Sequence, residues 1–309
     1  MEPALFAKFA SACALMALAN STQALAEGPV TEAERKQAEI ARFSQECEKW
    51  DDWDKPAHPY RIHANTYYVG TCGIAAILIT SDDGHILIDS GTEAGAQVVL
   101  DNIESLGFAL EDVEILLHSH EHFDHVGGHA LVAERTGARV GASPLAKPVL
   151  ETGQVADNDP QHAIHPAMAP VAVGFTLESG RSVSLGKLRI YPFTTAGHTP
   201  GARSYFWRSC EDRDCKAIVF ADSMSPVSSD DYRFSEHPDY VSEYRAGIER
   251  VAGMSWRCDI LLTPHPSHSK MIERAAAGRL DNGMSCEAFA AGKTEDLNAR
   301  LEREAGANQ

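Results

Sequence analysis

The 309-residue chain is 44% hydrophobic and 23% charged, proportions that build a packed core in one large domain or two ordinary ones. Its 27 Lys and Arg face 44 Asp and Glu, a formal net charge of -17. A polyanion repels phosphate backbones, which excludes nucleic acid as a partner, while acidity by itself selects no small-molecule substrate.

The first 26 residues read as an export signal. Lys8 precedes an apolar run at residues 9–19, and Asn20-Ser21-Thr22-Gln23 leads to Ala24-Leu25-Ala26, a small-x-small cleavage pattern. The run is too short to span a bilayer, so no stable membrane insertion is expected. Lipidation at Cys13 is the competing reading, weakened by the short apolar stretch before it. Glu2 and Lys8 cancel, so the mature chain from Glu27 keeps the charge of -17, and a periplasmic location is expected. Of the seven cysteines, Cys47, Cys72, Cys210, Cys215, Cys258 and Cys286 lie in the mature chain, and six cysteines allow 15 pairings. Cys210 and Cys215 close a short polar hairpin and make the clearest pair. None of the six forms a Cys-x-x-Cys pair, so they read as staples rather than ligands, with free buried thiols as the alternative.

Residues 27–59 are polar and charged, expected as a loosely packed N-terminal arm with some helix. Short β-rich runs follow at residues 66–69, 75–79 and 86–88, punctuated by Gly70, Gly73 and the turn Ser81-Asp82-Asp83-Gly84. The spacing of Val98, Val99, Ile103 and Leu106 predicts a helix over 94–106. A strand at 113–117, a helix at 128–136 and a strand at 139–140 come next. The second half repeats this order loosely, with strands at 182–185, 188–193, 203–207 and 217–220, a helix over 240–251, a strand at 259–262 and a helix over 287–302. Strand clusters mixed with helices predict a layered α/β protein. No low-complexity linker divides the halves, so residues 27–309 read as one catalytic domain.

Ile115-Leu116-Leu117 is a buried-type strand, followed at once by His118-Ser119-His120-Glu121-His122-Phe123-Asp124-His125. Polar residues just beyond a strand's C-terminal end lie where α/β enzymes build their sites. In extended backbone His120 and His122 project to one side, able to share a metal, while Asp124 and His125 point toward a second. Gly127-Gly128 permits a tight turn into the next helix. Imidazoles plus one carboxylate suit zinc, and a position left to water marks a catalytic site. Two later histidines sit in similar loops: His198 in Thr195-Ala196-Gly197-His198-Thr199-Pro200-Gly201, and His265 between Pro264 and Pro266 directly after a strand. His118, His129 and His268 read as packing or hydrogen-bonding residues. Asp89, at a strand end, reads as support for the metal loops rather than a ligand. Gln161 and residues 157–166 are a candidate loop over the groove.

The run His-x-His-x-Asp-His at 120–125, with Leu87-Ile88-Asp89-Ser90-Gly91 upstream and Gly197-His198-Thr199-Pro200-Gly201 downstream, resembles the metallo-β-lactamase superfamily over about residues 60–265. The resemblance implies a four-layer αβ/βα sandwich, two mixed β-sheets packed face to face with helices outside. Iron-binding redox relatives carry Glu where His122 stands, which places this sequence with the hydrolytic branch. Phe220-Ala221-Asp222-Ser223-Met224-Ser225-Pro226 lacks the Cys ligand of one lactamase subclass and is most similar to subclass B3.

That likeness implies two Zn(2+) per chain, the first on His120, His122 and His198, the second on Asp124, His125 and His265. It implies Ser223 and Ser225 as contacts for the substrate carboxylate, Asp222 as a non-ligand (in glyoxalase-II-like and lactonase-like members an aspartate near this strand end bridges both metals instead), and disulfides Cys47–Cys72, Cys210–Cys215 and Cys258–Cys286. It further implies a monomeric β-lactamase that confers antibiotic resistance by hydrolysing the amide of penicillins, cephalosporins and carbapenems. The attacking group would be a metal-bridging hydroxide, with Asp124 as both ligand and orienter. Two alternatives stand beside it: another exported hydrolase of this fold, such as a lactonase, and a periplasmic metal-binding protein without catalysis.

Overall fold

The computed structural model describes residue 1 and residues 31–306, so the export-signal reading lies outside the described residues. Thr31 starts the first helix, α1 (Glu32–Glu46), with a capping box: its hydroxyl accepts from the Glu34 N–H at 3.3 Å, and the Glu34 carboxylate accepts from the Thr31 N–H at 2.8 Å. Ile40 and Phe43 share one face of α1 and are buried, and the Phe43 ring lies 4.8 and 4.9 Å from those of Tyr60 and Tyr68. The segment expected as a loose arm therefore contributes a packed helix to the core. Its average polarity hid a narrow apolar stripe, and such a stripe is enough to anchor a helix.

Seven strands form the first sheet in sequence order: β1 (Tyr60–His63), β2 (Thr66–Tyr68), β3 (Ile77–Ile79), β4 (His85–Ile88), β5 (Val113–Leu117), β6 (Arg139–Ala142) and β7 (Val173–Thr176). β1 to β4 run antiparallel, and β4 to β7 are parallel. The parallel part is wound through α2 (Gly95–Ser105), α3 (Phe123–Val126), α4 (His129–Thr136) and α5 (Ala146–Thr152). The second sheet has the order β12-β11-β10-β9-β8, built from β8 (Val183–Leu185), β9 (Leu188–Thr194), β10 (Arg203–Glu211), β11 (Asp214–Phe220) and β12 (Ile260–Leu262). Three further helices are α6 (Pro238–Ala252), α7 (Met271–Ala276) and α8 (Cys286–Gly306).

Strand alternation sorts the apolar side chains into three cores. Ile77, Ile79, Ile86, Ile88, Ile115 and Leu117 face Ile190, Tyr205, Trp207, Ile218, Phe220 and Leu262 across the two sheets. The opposite faces of the first sheet, through Leu78, Leu87 and Leu116, pack on α2, α4 and α5. Phe206, Val219 and Leu261 carry α6 and α8 on the far side of the second sheet. Helix, sheet, sheet, helix is the four-layer αβ/βα sandwich.

The strands at 66–69, 86–88 and 113–117 and the helix over 94–106 fall within a residue or two of observed elements. Five elements are new: β1, β7, α3, α5 and α7. β7 is an edge strand whose residues are only half-buried or exposed, so it carries no apolar run that periodicity could detect. Disulfides join Cys47 to Cys72, Cys210 to Cys215, and Cys258 to Cys286. The first holds the end of α1 against the turn after β2, and the third ties the lead-in of β12 to the start of α8.

Candidate metal centre

The His120–His125 run leaves the C-terminal end of β5 and enters the single turn of α3, whose lead-in residue is His122. The loop after β9 delivers His198, and the turn after β12 delivers His265. All three segments emerge at one edge of the sandwich, because parallel pairing of β4 with β5 and of β11 with β12 directs their C-terminal ends the same way. Gly128 allows the close approach there: a Cβ on it would lie 2.5 Å from the Ala96 Cβ and 2.7 Å from the Ser90 carbonyl oxygen.

Two donor groups converge. The rings of His120, His122 and His198 stand nearly edge to face, with centroids 4.7 to 5.0 Å apart. Their donor nitrogens lie within 4.8 Å of one another. Beside them, Asp124 Oδ2 sits 3.0 Å from His125 Nε2 and 3.3 Å from His265 Nε2, and the two imidazole nitrogens are 3.2 Å apart. The six residues named from the sequence are thus brought to one place, in the two groups of three.

Four of the five imidazoles have a carboxylate or carbonyl on their back. His198 Nδ1 donates to the Ser225 carbonyl at 2.8 Å, which leaves Nε2 as the bare lone pair. His120 Nδ1 pairs with Asp222 Oδ1 at 2.8 Å, and His120 Nε2 is buried with no hydrogen-bond partner among the described residues. His122 Nε2 lies 3.1 Å from Asp159 Oδ2, and His125 Nδ1 lies 3.4 Å from Asp89 Oδ2. Carboxylate or carbonyl partners of this kind fix ring orientation and raise ligand basicity. Asp222 is therefore committed behind His120, and no metal-ligating group found among the described residues includes it.

Asp89 has a positive φ of 63°, a strained setting for a non-glycine residue, and the surroundings hold it there. Its carboxylate accepts from the Ser119 N–H and the Ser119 hydroxyl, both at 2.6 Å, so it clamps the ligand run at its start. Glu121 does the same from within the run. It accepts from the Thr199 hydroxyl and the Gly201 N–H at 2.7 Å each, tying the first loop to the one that carries His198. A side chain on Gly201 would strike that carboxylate at 2.6 Å. His118 accepts from the Ser143 N–H at 3.0 Å and is fully buried, and His129 Nδ1 pairs with the Ser90 hydroxyl at 2.7 Å, both internal hydrogen-bonding roles.

The electrostatics suit a cation. Burial, reinforced by neighbouring imidazoles, holds His120 and His198 well below the usual histidine value, so both are neutral donors. Burial alone would raise Asp124, but His125 and His265 bring it well below the usual carboxylate range. Against burial, Asp124 and Asp89 push His125 up to about 10. The negative charge that draws a proton to His125 is the charge that would draw a metal. Unpartnered buried atoms at His120 Nε2 and Asp124 Oδ1, framed by the neutral imidazoles of His120 and His198 and one carboxylate, fit a metal centre.

Four of the six donors, His122, Asp124, His198 and His265, line a groove of about 750 Å³. Its walls include Trp50, Trp53, Phe123 and Ile164, with Ser225 and His268 along one side. Trp53 packs 5.6 Å from Phe123 and 6.1 Å from His265, and the Cys47–Cys72 disulfide pins its segment in place. The 157–166 loop reaches the floor: Gln161 is buried, 3.5 Å from His198, and His165 stacks on His122 at 3.8 Å. The two serines separate, since Ser225 lines the groove while Ser223 is fully buried with its hydroxyl unpartnered among the described residues. Sequence reasoning missed Glu121, Asp159 and His165. Glu121 had a signal, a charge inside a run otherwise made of ligands and core, whereas Asp159 and His165 had none because their contacts span more than 30 residues.

A layered sandwich with a donor-lined groove at its edge defines a class of metal-dependent hydrolases. The model of the metallo-β-lactamase superfamily matches residues 69–210. The MIM-2 metallo-β-lactamase superposes with a TM-score of 0.81 at 47% identity, covering 86% of this chain and 98% of that one. MEM-A1, a subclass B3 metallo-β-lactamase isolated from a soil metagenome library, superposes at 0.79 with 36% identity, covering 83% and 100%. The chain belongs to the metallo-β-lactamase superfamily, with strong structural likeness to subclass B3. A hydroxyacylglutathione hydrolase from Bradyrhizobium sp. (strain ORS 278) is 28% identical over 156 residues, 48% of this chain, and the chain spans about half (50%) of that relative's length.

Proposed function

We propose that this chain is a zinc-dependent β-lactamase of the B3 type, exported to the periplasm and acting through its single catalytic domain, residues 27–309. The observation that carries the reading is the convergence of six donors, four of which line an apolar-walled groove, in a chain 47% identical to MIM-2 over nearly all of that protein. His120, His122 and His198 would hold one zinc, and Asp124, His125 and His265 the other. One protomer supplies all six donors, so a monomer suffices. Among the described residues no helix is long and apolar enough to cross a membrane.

Zinc at these positions would supply an acidified water and a Lewis acid for the lactam carbonyl. The chain's own residues do the rest. Asp124 Oδ1, unpartnered among the described residues, is an acceptor beside the groove that would orient the attacking water. Asp222, Asp159 and Asp89 keep His120, His122 and His125 in their working orientation. The Ser225 hydroxyl donates to the substrate carboxylate, with Ser223 as the inner member of that wall. Trp53, Phe123 and Ile164 take up the apolar body of the substrate and exclude water.

The likeness to a hydroxyacylglutathione hydrolase raises thioester or lactone hydrolysis as the competing reading. Asp222 favours the β-lactamase, because its carboxylate is spent on His120 Nδ1 instead of facing the donor cluster. The test is a panel of penicillins, cephalosporins, carbapenems and homoserine lactones, followed by absorbance. Carbapenem turnover should vanish on chelation and return with added zinc. Lactone turnover without β-lactam turnover would overturn the assignment.

A further inference from the structure

The buried stripe of α8 runs through Cys286, Phe289, Ala290, Lys293 and Leu297, the three- and four-residue spacing of a core-facing helix. One member of that stripe is a lysine. Lys293 is only 8% exposed, and long cationic side chains are almost never buried to this degree without a paired carboxylate beside them. Its one ion-pair partner among the described residues, Asp296 at 3.3 Å, lies three residues along the same helix with its own side chain 55% exposed. A water-facing, screened partner of that kind repays little of the cost of burial. A lysine so placed could extend to solvent as lysines ordinarily do. Instead its ammonium turns inward, 3.5 Å from the Ser225 hydroxyl and 5.5 Å from the Phe289 ring centroid.

Ser225 is the groove residue already assigned to the substrate carboxylate. The charged residues that line the groove are Lys49, Asp51 and Asp124; Lys293 is not on the lining itself but lies 3.5 Å from the hydroxyl of Ser225, which is, in a chain whose formal net charge is -17. Apart from the proposed metals, the chain's own charges therefore offer an anionic substrate little attraction, and a hydroxyl alone is a weaker anchor than a charged donor. Lys293 also lies within electrostatic reach of His268 on the same wall and of Asp222 behind His120. Its position is set by the Cys258–Cys286 bridge, which fixes the first residue of α8 seven residues, or two turns, before it.

We propose that Lys293 is a positioning residue for the substrate: its ammonium, acting through and beside Ser225, supplies the positive charge that seats the carboxylate of a β-lactam in the groove. The inference rests on the β-lactamase reading and adds to it a residue 68 positions away in sequence, on the C-terminal helix.

The experiment compares a penicillin with its methyl ester, which keeps the ring and loses the anion, on the zinc-loaded full chain. For Lys293→Met the acid should show a KM raised about tenfold, the worth of one charge-assisted contact, while kcat falls much less. The ester should be nearly unaffected, so the acid-to-ester preference in kcat/KM collapses by the same factor. Lys293→Arg should recover part of the preference, as a purely apolar packing role would not require. If the Met variant does not accumulate, Lys293→Gln serves in the same comparison. Equal losses on acid and ester, or no loss on either, would overturn the role of Lys293 while leaving the β-lactamase reading intact. A wild-type chain that hydrolyses neither compound would overturn both.

Discussion

His122 shows how the fold poises a single residue for the ligand role proposed for it. Its ring is 1% exposed, stacks on His165 at 3.8 Å and has Nε2 held 3.1 Å from Asp159. With Nε2 committed to Asp159, Nδ1 is the nitrogen left to bind, in a ring that lies within donor distance of His120 and His198. His122→Ala should therefore reduce β-lactam turnover by about 100-fold or more, since losing even an outer partner of a metal ligand costs about 10- to 100-fold. The three disulfides and the far-UV circular dichroism spectrum should be retained. Retained activity in a correctly folded variant would count against the assigned donor set. At this scale the sequence was informative because ligand chemistry is carried by residue type. Four donor types in six positions, and a histidine between two prolines, are visible without coordinates. The partners that aim those rings are not visible, since Asp159, Asp222 and Asp89 are ordinary acids until folding brings each behind its imidazole.

The elements depend on periodicity, and where periodicity was strong the reading held. β5 and its neighbours alternate two apolar faces because both sides of the sheet are covered, and β10 pairs with β11 from Tyr205↔Phe220 to Glu211↔Asp214 without a break. α1 was underread because two apolar residues in a charged segment carry little statistical weight yet bury completely or nearly so. The C-terminal end of α8 shows a second device that periodicity does not reveal. Glu304 accepts from the Ser235 N–H at 2.7 Å and the Phe234 N–H at 3.2 Å, capping the short turn that precedes α6, and Arg300 holds its carboxylate at 2.5 Å. Burial would raise the Glu304 carboxyl, but these hydrogen bonds bring it below its ordinary value. A carboxylate whose folded pKa is depressed stabilises the fold above its unfolded value, about 4.3, and loses that contribution as pH falls through the folded value. Glu304→Gln should cost about 1–2 kcal/mol at pH 7 by urea unfolding. The gap to wild type should close as pH drops below about 4. A gap that persisted unchanged at pH 3 would show that charge is not what the site uses.

At the scale of the molecule, the two sheets meet so that the loops after β5, β9 and β12 share one edge, and the donor cluster is a property of that arrangement. A metal bound there stabilises the folded chain and not the unfolded one, since the donors converge only on folding. Calorimetry with and without a chelator should therefore show a fall in Tm of about 5 °C or more, corresponding to the roughly 2.7 kcal/mol expected at a hundredfold excess over Kd. Added zinc should reverse it, and identical transitions in both conditions would speak against a resident metal. Sequence by itself determined the chemistry available: which residues are donors, that they follow a strand, that helices and strands interleave, and that the chain repels polyanions. These follow from local spacing and composition, which require no knowledge of distant neighbours. Only the tertiary structure decided which carboxylate stands behind which imidazole, that Ser225 and not Ser223 lines the groove, and that Lys293 turns inward beside it. Those outcomes depend on contacts between segments 25 to more than 100 residues apart, whose geometry is set by sheet packing and not by any local pattern.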